Sequence, residues 1–531
     1  MYQNDNEKAE LFGHLLEKTF SDSNDSNFDS KFKNEVLREN SKILFNNEDF
    51  QPFSIDDLNK EIKKLKKRSA VGPDGIHNLM IINSTIEFRE LILKLFNQSA
   101  EKGYIPQDWK IANVTMIPKK QVKSETPKDY RPISVTSCLG KLMEKLIRTR
   151  LNEYLTKNNL IIHQQSGFKK QRQTKDNLFH MIQKSIESFN RKKKVCAIFF
   201  DIAAAFDKVW HEGLLNKLLN MKVPMYLISW IKDFLSNRCF MVKVGTASSK
   251  MFIIRAGVPQ GAVLSPILFT IYINDIPCNY EKNSKYSLLF ADDLVSYFIY
   301  KNPESVEKIV NLYLRLLETW LSKWRLVMAP QKCNYIIFST NKKIQQTKLK
   351  LKMHGECISY NNSPTFLGLR LDPFLSFKNQ INYLSVSCQK RLNCIKILSH
   401  KSWKLTQSTL TQIYKSLVRS MVEYSSTVLS SLSKSRYRKL QAIQNTALRS
   451  IYKLPFDTST AYIGLLTGVD EIKDRFNKLN ENFIKRALLN ANPLICDSYK
   501  EYLLYAESRN LKFNTIYCEH KNILKDIYTL I

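Results

Sequence analysis

From Val195 to Phe200 the chain reads Val-Cys-Ala-Ile-Phe-Phe, six apolar residues in a row closed by Asp201. A run that short, with no polar alternation, predicts a strand buried on both faces rather than a helix, and it leaves the carboxylate at the C-terminal end. Two further strands are expected at Tyr286–Phe290 and Leu294–Tyr300, with the FADD piece as their connection and Asp292 and Asp293 at or beside a hairpin turn. Three aspartates are therefore expected at strand ends.

Elsewhere the period lengthens. Val306, Ile309, Val310, Tyr313, Leu317, Trp320, Leu321 and Trp324 recur at helical spacing within Ser305–Leu326, which predicts an amphipathic helix lying on a sheet. After Pro373 helical patterns with basic faces follow at Lys378–His400, Thr406–Tyr424 and Ser435–Lys453. Near the other end, Ser54 with Asp56 and Asp57 reads as a helix cap and acidic first turn, and the helix is expected to run into the basic stretch Lys60–Arg68 until AVGPDG breaks it. The polar stretch SDSNDSNFDS (21–30) is expected to link a short leading helix to the rest. Ala256–Asn274 is uncharged for 19 residues, but Gly257, Pro259, Gln260, Gly261, Ser265 and Pro266 make its beginning turn-rich, which argues against a membrane span.

Composition adds a partner. The 531 residues carry 81 Lys+Arg against 49 Asp+Glu, a formal charge of +32, with 44% hydrophobic residues. This length and apolar content exclude a disordered or fibrous chain, and the charge calls for a polyanion, nucleic acid or an anionic membrane. Residues 1–60 hold 13 acids and 7 bases, net −6, which leaves +38 on the remainder. The acidic lead is expected to lie outside the basic, functional part. Ten cysteines are scattered without a CxxC pair or a histidine at zinc spacing, so they read as reduced thiols, and the N-terminus lacks the basic and apolar regions of a signal peptide. An intracellular protein is expected, working in a cytoplasmic ribonucleoprotein and in the nucleus.

Three aspartates on central strand ends in a basic protein, with no serine or cysteine triad spacing, fit two-metal phosphoryl transfer. Two Mg²⁺ ions about 4 Å apart need bridging carboxylates, which Asp201 and Asp292 can supply. A lone Asp-Asp is more often a solvated turn. Here it has company: FFDIAAAFDKVWH, AGVPQGAVLSPILFTIYINDI, FADDLVSY and FLGLRLD follow one another in order.

As a set these pieces resemble a reverse transcriptase. With KKRSAVGPDGI (66–76), YRPISVTSCLGKLMEKLI (130–147) and HQQSGFKKQRQT (163–174), the chain is similar, over about residues 54–455, to the polymerase of jockey-like non-LTR retrotransposons. Ala204, Ala262 and Ala329 depart from the usual basic residue, serine and asparagine. The resemblance implies an α+β right-hand polymerase: an N-terminal helix and linker (1–53), fingers (54–194), a palm with an antiparallel sheet (195–372, the core being about 112–372 with its fingers pieces), a helical thumb (373–455) and a C-terminal extension (456–531).

It also implies roles. Asp201, Asp292 and Asp293 are the catalytic carboxylates; with Ile202 they form the metal-holding set, for two Mg²⁺ or, alternatively, Mn²⁺. Lys332 resembles the lysine that protonates the leaving pyrophosphate. Lys119 and Arg131 resemble the cations gripping the triphosphate, Gln260 the residue lying against the incoming nucleotide, and Phe206 the ring that walls off the sugar 2′ position. Phe366, Leu367 and Gly368 resemble the hairpin steadying the primer end. Ordinary alternatives stand beside these: solvated surface charges for the cations, core packing for the phenylalanines, a turn residue for Gln260. Implied partners are an RNA template, the element's own transcript, a DNA primer or target site, and dNTPs, without a membrane. No nuclease domain is recognisable upstream and no RNase H pattern in Asp457–Ile531, so target cleavage is expected from elsewhere. The rivals are an RNA-dependent RNA polymerase, which would not wall off the 2′ hydroxyl, and a catalytically inactive or domesticated RNA-binding remnant.

Overall fold

A computed structural model describes residues 4–21, 28–41, 49–119, 126–278, 285–341, 348–429, 432–505 and 511–520. The architecture is α+β, and the chain folds into two compact units assembled from interleaved segments: Met1–Phe168, Ile202–Pro277 and Leu316–Ala329 in one, Lys169–Asp201, Cys278–Arg315 and Pro330–Ile531 in the other.

In the first unit the strand Ile111–Pro118 pairs antiparallel with Tyr130–Val135 and parallel with Arg238–Val244, which in turn pairs with Ala247–Ser248 and Phe252–Ile254. The helix Asp5–Thr19 covers this sheet. Leu16 and Phe20 join Ala112, Val114, Phe240, Val242, Phe252 and Ile254 in one apolar cluster, and the Phe20 ring stands edge-on to Phe240 at 5.4 Å. The expectation that the acidic lead lies outside the functional body is thus corrected. Phe12, Leu16 and Phe20 recur every four residues, a stripe that the surrounding charges conceal in composition but that a helix gathers on one side. The linker of this lead falls in part (22–27) outside the described residues.

The Ser54 capping box forms as expected, Ser54 and Asp57 bonding each other's backbone N–H, but the helix is only Ile55–Ile62. It ends once Leu58, Glu61 and Ile62 have been buried; the cations Lys63, Lys64, Lys66, Lys67 and Arg68, which would repel along a helix face, lie beyond it. Within Ala256–Asn274 only Ser265–Tyr272 is α-helical, and among the described residues no helix is long and apolar enough to cross a membrane.

The second unit is built on a five-stranded sheet in the order Ser359–Tyr360, Asn334–Phe338, Lys194–Phe200, Asp293–Tyr300, Lys285–Phe290. The predicted apolar strand is its centre, antiparallel to both neighbours, with Val195–Phe200 all buried. Helix Thr174–Asn190 packs on one side, where the Tyr297 hydroxyl meets the buried His180 Nδ1 at 2.7 Å. Helix Pro303–Lys323 matches the expected amphipathic one, and its Tyr313 hydroxyl meets Ser296 Oγ of the sheet at 2.8 Å. Lys378–Leu398 and Lys434–Tyr452 are helical as predicted. Thr406–Tyr424 is not one regular helix: Gln407–Tyr414 passes through a π-turn, Lys415–Arg419, into Ser420–Glu423. The wider turn brings two adjacent residues, Val418 and Arg419, into the interior, where Arg419 and Arg475 both ion-pair with Glu423 at 2.8 Å.

Phe20→Ala removes a ring from the first unit's core and is expected to cost about 3–4 kcal/mol, whereas Glu7→Gln on the exposed side of the same helix stays within about 0.5 kcal/mol. Urea unfolding, with hydrogen exchange at the Phe240 and Val242 amides, measures both.

Candidate functional site

The register of the central sheet decides where the aspartates go. Phe200 pairs with Leu294, so the next residue, Asp201, comes level with Asp293. On the neighbouring hairpin Phe290 pairs with Asp293, which leaves Ala291 and Asp292 as a two-residue turn with Ala291 at φ +56°. A left-handed first turn residue is what a tight hairpin requires, though it is more often glycine. On the far side of the central strand Phe199 pairs with Asn334, which brings Lys332 to the same rim.

The electrostatics follow from that crowding. Burial of its surroundings, then the like charges of Asp292 and Asp201, push the Asp293 carboxyl up to about 6, although the residue reaches the surface. Lys332 Nζ stands 3.2 Å from Asp201 Oδ2, both side chains more than half exposed, so solvent keeps the pair within about 1 kcal/mol. Among the described residues no three His, Cys, Asp or Glu side chains are gathered closely enough to hold a metal ion as they stand. The three carboxylates share one rim and feel one another without being drawn into a cage. Ile202, the fourth member of the expected set, is buried and bridges to Met328.

The 366–368 turn belongs to this same unit. Thr365–Phe366 pairs with Leu369–Arg370 across Leu367 and Gly368, at φ +44° and +77°, a two-residue turn with both central residues left-handed. Phe366 is buried 5.3 Å from Phe199, two residues before Asp201. The Tyr424 hydroxyl donates to the Leu367 carbonyl at 2.7 Å, and the Gly368 backbone passes beneath the same ring.

The other expected residues lie in the first unit. Arg131 pairs with Ile117, and Lys119 follows Pro118 at the end of the same hairpin, its N–H donating to the Asp129 carbonyl at 2.8 Å; both side chains are exposed. Gln260 is fixed from two sides: its amide nitrogen donates to Asp207 Oδ1 at 2.7 Å, and its carbonyl accepts from the Ser134 N–H at 2.7 Å. The loop that carries it needs its glycines. A Cβ on Gly261 (φ +122°) would lie 2.6 Å from the Ser134 carbonyl oxygen, and one on Gly257 (φ +90°) 2.6 Å from that of Asp207. Phe206 is half-buried, stacked on Phe269 at 4.4 Å and edge-on to Phe168 at 6.2 Å, so packing sets the orientation of its ring.

Three contributors escaped the sequence reading. Asp207 is buried beneath Gln260, its carboxyl pushed up to about 6 by burial against the opposing pull of Gln260, Lys119 and Lys208. Its signal was present, since it follows Phe206 in the AFDKVW piece. Glu144 is buried and accepts from the Val263 and Leu264 N–H groups at 2.7 and 3.0 Å, holding the end of the Gln260 loop. Tyr424 meets the Leu367 carbonyl from 57 residues away. Neither of the last two carries a local signature.

Residues 117–387 match the model of the reverse transcriptase (RNA-dependent DNA polymerase) family, more than half of the chain, and the chain belongs to that family. Among curated proteins it is 27% identical over 460 residues to a probable RNA-directed DNA polymerase from transposon BS of Drosophila melanogaster, covering 84% of this chain and 50% of that protein. It is 28% identical over 503 residues to the RNA-directed DNA polymerase from mobile element jockey of the same species, covering 92% and 53%. The chain thus spans about half the length of these relatives. A solved apo telomerase from Candida tropicalis aligns over 80% of this chain and 73% of its own at 13% identity and a TM-score of 0.36, too loosely to carry an argument.

Asp207→Asn keeps an acceptor for Gln260 but cannot ionise. A carboxyl raised to about 6 stabilises the fold fully only below its unfolded pKa near 3.8, and that contribution is lost as pH rises through about 6. The stability of the Asn variant relative to the parent is therefore expected to grow by up to about 3 kcal/mol between about pH 4 and about pH 7, measured by denaturant titration.

Proposed function

We infer that the chain is an RNA-directed DNA polymerase of the non-LTR retrotransposon type, extending a DNA primer on an RNA template. The observation that carries this is the placement of Asp201, Asp292 and Asp293 on one rim of the central sheet in a chain of the reverse transcriptase family. In this reading residues 54–194 serve as fingers, 195–372 as palm, 373–455 as thumb and 456–531 as an extension, with 1–53 leading. Its partners are the RNA template, the element's own transcript, a DNA primer or target site, and dNTPs. Ten free thiols support a reducing intracellular setting, a ribonucleoprotein in the cytoplasm and the nucleus.

The donor set suits a hard divalent cation. Carboxylate oxygens of Asp201, Asp292 and Asp293 with the backbone at Ile202 are Mg²⁺ chemistry, with Mn²⁺ as a substitute, and such an ion would answer the like charges of Asp292 and Asp201 that add to burial in raising Asp293. Two bound ions supply activation of the primer 3′ oxygen and charge stabilisation at the leaving pyrophosphate. The chain's own residues do the rest. Arg131 offers a bidentate fork and Lys119 a point charge to the triphosphate. Gln260, held by Asp207, presents a fixed edge to the incoming nucleotide. Phe206, locked by Phe269, offers a wall where a ribose 2′ hydroxyl would stand. Lys332, beside Asp201, is placed to give a proton to the departing pyrophosphate. Phe366, Leu367 and Gly368, braced by Tyr424, steady the primer end.

Primer extension on an RNA template with labelled dNTP and Mg²⁺ tests this. Asp292→Ala is expected to lose about 10³-fold or more in rate while still binding RNA. A parent chain that binds RNA yet makes no product would instead favour the RNA-binding remnant. In the same assay Phe206→Ala is expected to admit ribonucleotides; unchanged exclusion would remove Phe206 as the gate and reopen the RNA polymerase reading.

A further inference from the structure

The second unit contains a cavity of about 860 Å³ that the polymerase reading does not use. Its floor is apolar, with Ile186 and Phe189 from the end of helix Thr174–Asn190, Leu375, and Ile472. Its rim is basic. Lys434, Arg436 and Arg438 come from the first turns of helix Lys434–Tyr452, Lys473 from helix Ile472–Leu489, and Lys512 from the chain beyond it, against Glu471 and Glu519 as lining acids. Lys473 already partly answers Glu519, so the surplus charge belongs mainly to the Lys434–Arg438 turn and Lys512.

Two features make this more than a solvated face. The helix that presents Lys434, Arg436 and Arg438 is 19 residues long and has no acid in its first turn, so its cations and the partial positive charge of the helix start add at this end. Phe513 stands in the wall in a fixed pose: the Asn190 side chain donates to its carbonyl and accepts from its N–H, both at 3.0 Å, and its ring lies 5.9 Å from Phe189. Phe374 and Tyr437 complete the aromatic lining.

The cavity is remote from the catalytic rim. Asn190 ends the helix that leads into the central strand at Lys194, and the Ser339 N–H donates to the Pro373 carbonyl at 3.0 Å, which ties the Phe374–Ser376 wall to that same end. From Lys194 to Asp201 the strand runs seven steps of about 3.3 Å, so more than about 20 Å separates the two ends.

We propose that this cavity is a second nucleic-acid site, which holds two or three unpaired nucleotides of RNA away from the point of synthesis. Cations with fixed aromatic rings are the chemistry by which single strands are held, phosphates on the former and bases stacked on the latter, and the volume suits a few nucleotides. The site would keep a single-stranded part of the transcript on the protein while another part is copied. It goes beyond the polymerase reading, and because binding alone reports on it, it can fail or stand whether or not the chain synthesises DNA.

The test is fluorescence anisotropy with a labelled, unstructured oligoribonucleotide and the full chain. Lys434→Gln/Arg436→Gln/Arg438→Gln is expected to weaken binding about tenfold or more and to lower the slope of log affinity against log salt by about 2, near 0.7 for each phosphate no longer neutralised. Phe513→Ala is expected to weaken binding about fivefold with the slope unchanged, as loss of stacking requires. Lys308→Gln/Lys348→Gln/Lys350→Gln removes equal charge from exposed positions elsewhere and is expected to do much less. Equal weakening by both triple variants would overturn the proposal, as generic charge attraction would then suffice. Equal or tighter binding of DNA of the same sequence would overturn the assignment to RNA. Displacement of the RNA by polyglutamate at matched charge would overturn it in favour of an acidic protein.

Discussion

The structure of the second unit depends on one burial event. The strand Lys194–Phe200 is apolar on both faces and can be satisfied only in the middle of a sheet with cover on both sides, so two strands must flank it and helices must close over it. A strand with seven fixed cross-strand partners cannot slip by one residue without turning its side chains to the wrong face. That rigidity sets the position of Asp201, the first residue past the apolar run, and through the same register the positions of Asp293, the Asp292 turn and Lys332. The carboxylates are brought together by the hydrophobic demand of the residues before them.

The charge distribution then has two scales. Across the chain the surplus of +32 provides a general attraction for phosphate backbones, which is long in reach, screened by salt and indifferent to sequence. At the sheet rim a few acids of opposite sign meet, and burial together with its neighbours' like charges makes one of them, Asp293, a weaker acid. The surplus is spread over the chain; the local minority is gathered at one rim by the register of the sheet. The acidic N-terminal lead is a third case, because its charge faces solvent while Leu16 and Phe20 hold the first unit's sheet together.

In the first unit, the loop that carries Gln260 is fixed by backbone crowding. Gly257 and Gly261 let one loop press against the Asp207 and Ser134 backbones at distances no side chain would permit, and Asp207 and Glu144 then hold the loop from beneath. Buried carboxylates are costly, and here the cost is offset by the bonds they accept from Gln260 and from the Val263 and Leu264 amides. The Leu367–Gly368 turn is held differently, by the Tyr424 hydroxyl on the Leu367 carbonyl with the ring at ordinary contact distance from Gly368.

Much of this was legible in the sequence. The apolar run, the FADD turn and the 3.6-residue stripe of the Pro303–Lys323 helix are local patterns, and local patterns need no partner to be read. So is the family, because its pieces are short runs whose order survives in one dimension. Other features came only with the fold. The helix after Ser54 stops at Ile62, where its buried face ends, and the π-turn at Lys415–Arg419 places the buried Arg419 against the half-buried Glu423, which Arg475 also pairs. The roles of Asp207, Glu144 and Tyr424, and the basic cavity floored by Phe189 and walled by Phe513, rest on contacts between residues far apart in the chain. Periodicity records which face of an element is apolar; what that face meets is decided only when the whole chain has closed around it.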